Sequence, residues 1–162
     1  MAFRNILTGE DEALRKRSRE ITDFGERIHQ LMDDLQDTLV ENNGLGLAAP
    51  QVGVLRRAIV IIDGEQTVEL LNPEITETDG EVVSEEACLS FPGLYGTVAR
   101  PQKIKVRADN RFGETFEREF EGISARAVCH EKDHLDGVLF VDLAEELFEE
   151  NGGDPEDITG DN

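Results

Sequence analysis

Cysteine is scarce in this chain: two residues, Cys88 and Cys129, in 162. Two thiols make no disulfide framework, and a thiol used as a metal ligand must stay reduced, which points to the cytoplasm. Basic residues are also few, 16 against 36 acidic ones, for a net charge of −20. That excludes generic nucleic-acid binding, which relies on a basic patch. The acid excess reads as a strongly solvated surface, with a saline habitat as the alternative; charge bears on solubility rather than on fold. No apolar run approaches the roughly 20 residues needed to cross a bilayer. The first residues, Met1 to Leu7, lack the apolar stretch of a signal peptide. There is no internal repeat. What remains is long enough for one domain with a substantial core.

Periodicity organises that domain. Ile28, Leu31, Met32, Leu35 and Leu39 recur at helical spacing, predicting a helix from about Asp23 to Glu41. Asp23 and Glu26 form a capping-box variant at its start, and Asn42-Asn43-Gly44 stops it. Ala58 to Ile62 reads as a buried strand and Val68 to Asn72 as another, closed by Pro73. Further strands are expected at Glu81–Val83, Lys103–Ala108 and Glu114–Phe120, the last two joined as a hairpin through Asn110–Gly113. A helix from about Ser124 to Gly137 follows, then an extended Val138–Val141. From Glu145 onward there are eight acidic residues and no Lys or Arg. Residues 149–162 are therefore expected to be a disordered acidic tail after a domain spanning 1–148. The fold class is α+β: mixed or antiparallel strands around a central metal-binding helix.

That helix carries His130-Glu131-Lys132-Asp133-His134. Residues four apart share a helix face, so His130 and His134 can grip one metal from the same side. Glu131 can then reach a water on that metal. This H-E-x-x-H spacing suggests a hydrolase whose nucleophile is metal-bound water, although the pattern also arises by chance in helices. Catalytic sites of this kind take a third protein ligand. His29, the only other histidine, lies in a polar register of the first helix. Cys88 is the better candidate, because thiolate is a strong, soft ligand. Taken alone, a free cysteine is more often a small buried hydrophobe. Residues 44–53, Gly44-Leu45-Gly46-Leu47-Ala48-Ala49-Pro50-Gln51-Val52-Gly53, hold no ionisable group. Their glycines permit close backbone approach, and the Gln51 amide can donate to an oxyanion.

Three segments together, GLGLAAPQ (Gly44 to Gln51), EACLS (Glu86 to Ser90) and HEKDHLDG (His130 to Gly137), resemble peptide deformylase. Ala87 stands where that family commonly has glycine and Cys129 where it often has glutamine; neither change removes a ligand or the base. The resemblance implies a hydrolase acting in protein biosynthesis, in N-terminal processing. It would remove the formyl group of N-formylmethionyl nascent peptides in the cytoplasm, near the ribosomal exit. Cys88, His130 and His134 are the implied metal ligands, Glu131 the general base and acid, and Gln51 with the Leu89 backbone N–H the holders of the oxyanion. Fe²⁺ is the implied metal, with Zn²⁺, Ni²⁺ or Co²⁺ as replacements.

Substrate contacts are expected mainly through backbone. Gly44-Leu45-Gly46 would pair with the extended peptide, while Leu45, Ile123 and Ala127 would take the methionine side chain. Arg126 either edges that pocket or, as the sequence favours, faces solvent. Glu86 and Asp133 are the acids nearest the imidazoles, and Asp133 has Arg100 as an alternative partner. Two other functions fit less of the pattern. One is a peptidase with Glu145 or Glu146 as third ligand; the other is a non-catalytic binding module docking near the ribosome.

Overall fold

A computed structural model describes residues 3–150. Eight strands form two antiparallel sheets. The first contains β1 (Gly46–Ala48), β2 (Ala58–Asp63), β3 (Gln66–Asp79), β6 (Lys103–Asp109) and β7 (Thr115–Glu121), side by side in that order. The second contains β4 (Val82–Cys88), β5 (Phe91–Arg100) and β8 (Glu146–Glu149). Two long helices, α1 (Glu26–Glu41) and α2 (Ile123–Leu135), and a short one, α3 (Phe140–Leu143), complete the α+β fold. No helix among the described residues is long and apolar enough to cross a membrane.

The five-stranded sheet is covered on both faces, which explains the unbroken apolar run in β2. Successive residues of a strand point to opposite faces. Ala58 and Val60 pack with Leu31, Met32, Leu35 and Leu39 of α1. Ile59 and Ile61 pack with Ala125, Val128 and Leu135 of α2. Each fully buried leucine on α1 contributes about 1.5–3 kcal/mol relative to exposure. The H-E-x-x-H motif thus lies on the later of the long helices, clamped against β1, β2 and β7.

Several local expectations are corrected. α1 begins at Glu26 with Gly25 as its cap, because Asp23 Oδ1 instead accepts the Gly25 N–H at 3.1 Å in a local turn. Pro73 does not close β3. The strand steps over it at a register shift between Leu71 and Glu74. Asn72 there adopts a φ of 51°, and its side chain ties Ile21 and Asp109 to the irregularity. β5 was not among the expected strands; it runs through Pro92, Gly93 and Gly96, residues that strands disfavour. The expected extended Val138–Val141 holds only as far as Leu139, which is extended; the Asp142 carboxylate accepts the Leu139 N–H and bends residues 140–143 into a helical turn. Glu149, the expected first tail residue, ends β8, which borrows the free edge of β5, and Glu150 N–H reaches Gly93 O. The rest of the expected tail, 151–162, lies outside the described residues.

Candidate metal centre and pocket

The site forms beside α2, where β1 begins, where it gives way to a helical turn, and where β4 ends. Gly46 opens β1 at the edge of the five-stranded sheet. β1 runs straight into a helical turn, Ala49–Val52, with Pro50 in its first positions and Gly53 at φ 84° closing it. That turn buries Gln51. Cys88 ends β4 at a register shift after Ala87. Ala87 is not among the residues with positive φ, so the site does not require the family's glycine there.

One helical turn brings His130 and His134 together, with ring centroids 5.2 Å apart. A ligand atom from each of Cys88, His130 and His134 lies within 4.8 Å of the others. Cys88 Sγ stands 3.4 Å from His134 Nε2. Buried and without a hydrogen-bond partner are His130 Nε2, His134 Nδ1 and Glu131 Oε1. A buried polar atom left unpaired is costly unless something else satisfies it. The orphaned His130 Nε2, the His134 Nε2 that faces the thiol, and Cys88 Sγ itself are the donor set a soft-to-borderline divalent metal takes, so these residues fit such an ion. Glu145 and Glu146, the alternative ligands, are exposed and are not in the cluster. His29 is remote, bonded to Arg111 O at 2.9 Å.

An ionic network stands behind the imidazoles. Glu86 Oε1 receives His130 Nδ1 at 2.8 Å, which turns Nε2 toward the thiol. Arg100 grips both Glu86 oxygens, at 2.8 and 3.0 Å, and reaches Asp133 at 2.7 Å. Burial acts to raise the Glu86 carboxyl, but bonds from His130 and Arg100 outweigh it and hold it at about 2. Arg126 does not face solvent. It donates to Glu86 Oε2 at 2.7 Å and to the Val98 and Val82 carbonyls at 2.9 and 2.7 Å, stapling α2 to β4 and β5. Only 15 % of its side chain is exposed.

Glu131 has the opposite environment. Burial, with no cation bonded to it, pushes its carboxyl up to about 7. Burial also pushes His134 down to about 3, leaving a neutral ring. A Cβ on Gly46 would stand 2.8 Å from Glu131 Cγ and Oε2, so only glycine leaves that carboxylate its place.

Glu131, Cys88 and His130 open into a pocket of about 300 Å³. Gly44, Leu45, Gly46, Leu89, Ile123 and Ala127 all line it. Gln51 lies outside that lining: its Oε1 accepts the Ala48 N–H at 2.9 Å, while Nε2 points at Cys88 Sγ (3.5 Å) and Ser90 Oγ (3.1 Å). Sequence reasoning gave Ser90 no role. It sits fully buried in the EACLS segment, and that polar residue between Leu89 and Phe91 was the available signal.

The model of the polypeptide deformylase family matches residues 3–149. A peptide deformylase from Caldicellulosiruptor bescii is 58% identical over 142 residues, spanning 88% of this chain and 86% of that protein. The crystal structure of a peptide deformylase from Thermotoga maritima is similar with a TM-score of 0.87 and 40% identity, covering 90% of this chain and 100% of that one. A Met-Ala-Ser-bound class I type b peptide deformylase from Acinetobacter baumannii gives a TM-score of 0.84 at 32% identity, covering 88% and 98%.

Proposed function

The chain belongs to the polypeptide deformylase family, hydrolases that remove the formyl group from the N-terminal methionine of newly made proteins, and from that premise we propose which of its residues do the work. Cys88, His130 and His134 hold one divalent metal ion. Fe²⁺ is the ion expected in the cell, with Zn²⁺, Ni²⁺ or Co²⁺ as replacements. When bound, that ion supplies a Lewis acid and lowers the pKa of its water toward about 7. In this reading α2 is the metal-bearing helix around which the strands are arranged.

Glu131 Oε1, the acceptor without a partner, takes the proton of the attacking water. It later returns that proton to the methionine nitrogen as the formyl C–N bond breaks, leaving formate and a free amine. The Gln51 amide and the Leu89 backbone N–H hold the formyl oxygen as charge develops on it. For this, Gln51 Nε2 must release Cys88 or Ser90, the two groups it now faces. β1 is an edge strand, so Gly44, Leu45 and Gly46 offer backbone groups to an extended peptide. Leu45, Ile123 and Ala127 take the methionine side chain. A reduced Cys88 suits the cytoplasm, where nascent chains leave the ribosome. The acidic surface leaves direct nucleic-acid recognition out of the reading.

The observation that carries this assignment is the unpaired, deeply buried Glu131 carboxylate opening into the same pocket as Cys88 and His130. Protein purified without oxygen and loaded with Fe²⁺ or Ni²⁺ is expected to release formate from an N-formyl-Met-Ala-Ser peptide. It should release no acetate from the N-acetyl peptide, and Cys88→Ala should lose both metal and formate release. Metal kept and formate released at an undiminished rate by Cys88→Ala would remove the thiol from the ligand set. Cleavage of internal peptide bonds instead would favour the peptidase.

A further inference from the structure

A second cleft, of about 820 Å³, shares no lining residue with the metal-bearing pocket. It opens between the segment before α1, the approach to β2, the irregularity in β3, β6 and the end of α2. In a chain with 36 acidic residues, this cleft gathers Arg17, Arg19, Arg57, Arg107 and Lys132, about a third of all its cations. They come from four separate stretches of sequence, around residues 17–19, 57, 107 and 132, which the fold brings together. Three carboxylates face them, Glu20, Glu74 and Asp136, so two positive charges are left over.

The arrangement already converges on an oxyanion. Asp136 alone receives Arg57 at 3.0 Å, Arg17 at 3.3 Å and Lys132 at 2.9 Å. Arg107 is paired with Glu74. Arg19 forms no ion pair or side-chain hydrogen bond among the described residues, leaving a whole guanidinium fork free. Beside it, the Ser18 hydroxyl is buried and unpartnered, the one orphaned buried side-chain atom outside the metal site among the described residues. Guanidinium forks match the oxygens of phosphate, and a phosphate monoester dianion matches the surplus charge. The volume exceeds what a bare phosphate fills and lies in the range of small-molecule sites. A long polyanion would meet the repulsion of a chain carrying −20.

We propose that this cleft binds a small phosphate monoester of nucleotide size, with Arg19 and Arg107 as donors to its phosphate. The test is calorimetric titration of the full chain at low salt with AMP, inorganic phosphate, adenosine and a short RNA oligomer. AMP is expected to bind one to one, inorganic phosphate to compete with it, and adenosine not to bind. Arg19→Gln should weaken AMP about tenfold, the worth of one charge-assisted hydrogen bond, while formate release stays unchanged. Arg118→Gln removes the same charge from β7, where Arg118 pairs with Asp63, and should leave AMP binding intact. The proposal is overturned if neither AMP nor phosphate binds at millimolar concentration. It is equally overturned if Arg19→Gln and Arg107→Gln change nothing, if Arg118→Gln weakens binding as much, or if RNA binds and AMP does not.

Discussion

On the arginine side of the site a buried glutamate is held ionised; on the pocket side another buried glutamate keeps its proton up to about pH 7. Glu86 and Glu131 are both almost wholly removed from water, and burial alone would raise both carboxyls. Glu86 meets Arg100, Arg126 and His130, and falls to about 2. Glu131 meets no bonded cation and rises to about 7. The pair shows that depth does not set a carboxylate's role; its partners do. A carboxylate fixed by two guanidinia can orient an imidazole but has no capacity to exchange protons near neutrality. One without partners is poised to do so.

The largest effect that would break this contrast is on stability and metal binding. In metal-free protein Glu86 lacks, between pH 4.5 and 2, a proton that the unfolded chain holds. Its contribution, about 3 kcal/mol, is therefore complete above pH 4.5 and lost as pH falls toward 2. Glu131 slopes the other way: between pH 4.5 and about 7 the fold keeps a proton that the unfolded chain has lost, so stability declines as pH rises. His134, held at about 3, and the lowered Asp136 and Asp142 carboxyls slope with Glu86. In denaturant titrations Glu86→Gln should therefore shrink the acid limb, and Glu131→Gln should remove the opposing decline toward pH 7 relative to the unsubstituted protein. Glu86→Gln should also weaken metal binding about 10–100-fold, because His130 loses its orienting acceptor. Unchanged affinity in a competitive chelator titration would mean that the network does not orient the ligand.

A smaller effect sharpens the pocket side. Gly46→Ala places a methyl against Glu131. It should cut kcat about tenfold by displacing the carboxylate, with metal affinity retained. An equal loss of metal would mean that Gly46 supports the ligands rather than the base. The smallest effect concerns Arg126. Arg100 holds both oxygens of Glu86 without it, so Arg126→Ala should leave kcat and metal affinity intact. KM should rise about threefold as β4 loosens from α2 at the pocket rim. A fall in metal affinity comparable to that of Glu86→Gln would show that the two arginines are not redundant.

The fold was legible where one physical rule acted alone. Helical spacing at Ile28 to Leu39 and the unbroken run at Ala58 to Ile62 answered to burial on one face and on two. Where a side chain competes with backbone, local reading failed. Asp23 turned the chain instead of capping α1, Asn72 carried β3 past Pro73, and Asp142 coiled a segment that reads as extended. β8 is acidic and exposed, and exists because β5 offers an edge: the information lies in the pairing of Leu94 with Glu149 and Thr97 with Glu146, not in either strand's own pattern. At the site, spacing within α2 and the EACLS and GLGLAAPQ segments pointed to residues most of which line one pocket, with Gln51 and His134 outside that lining. What stayed hidden was long-range. Arg126 reads as a surface residue until β4 and β5 present two carbonyls and a carboxylate to it. The cleft around Asp136 draws its cations from segments that no local pattern connects.

The division of labour between the two glutamates is tested most directly by Glu131→Gln, with bound metal and formate release measured on the same preparation. Metal at the full one-to-one ratio with turnover reduced by about 10²–10⁴-fold is the predicted result. Near-normal turnover, or loss of the metal together with the activity, would contradict it.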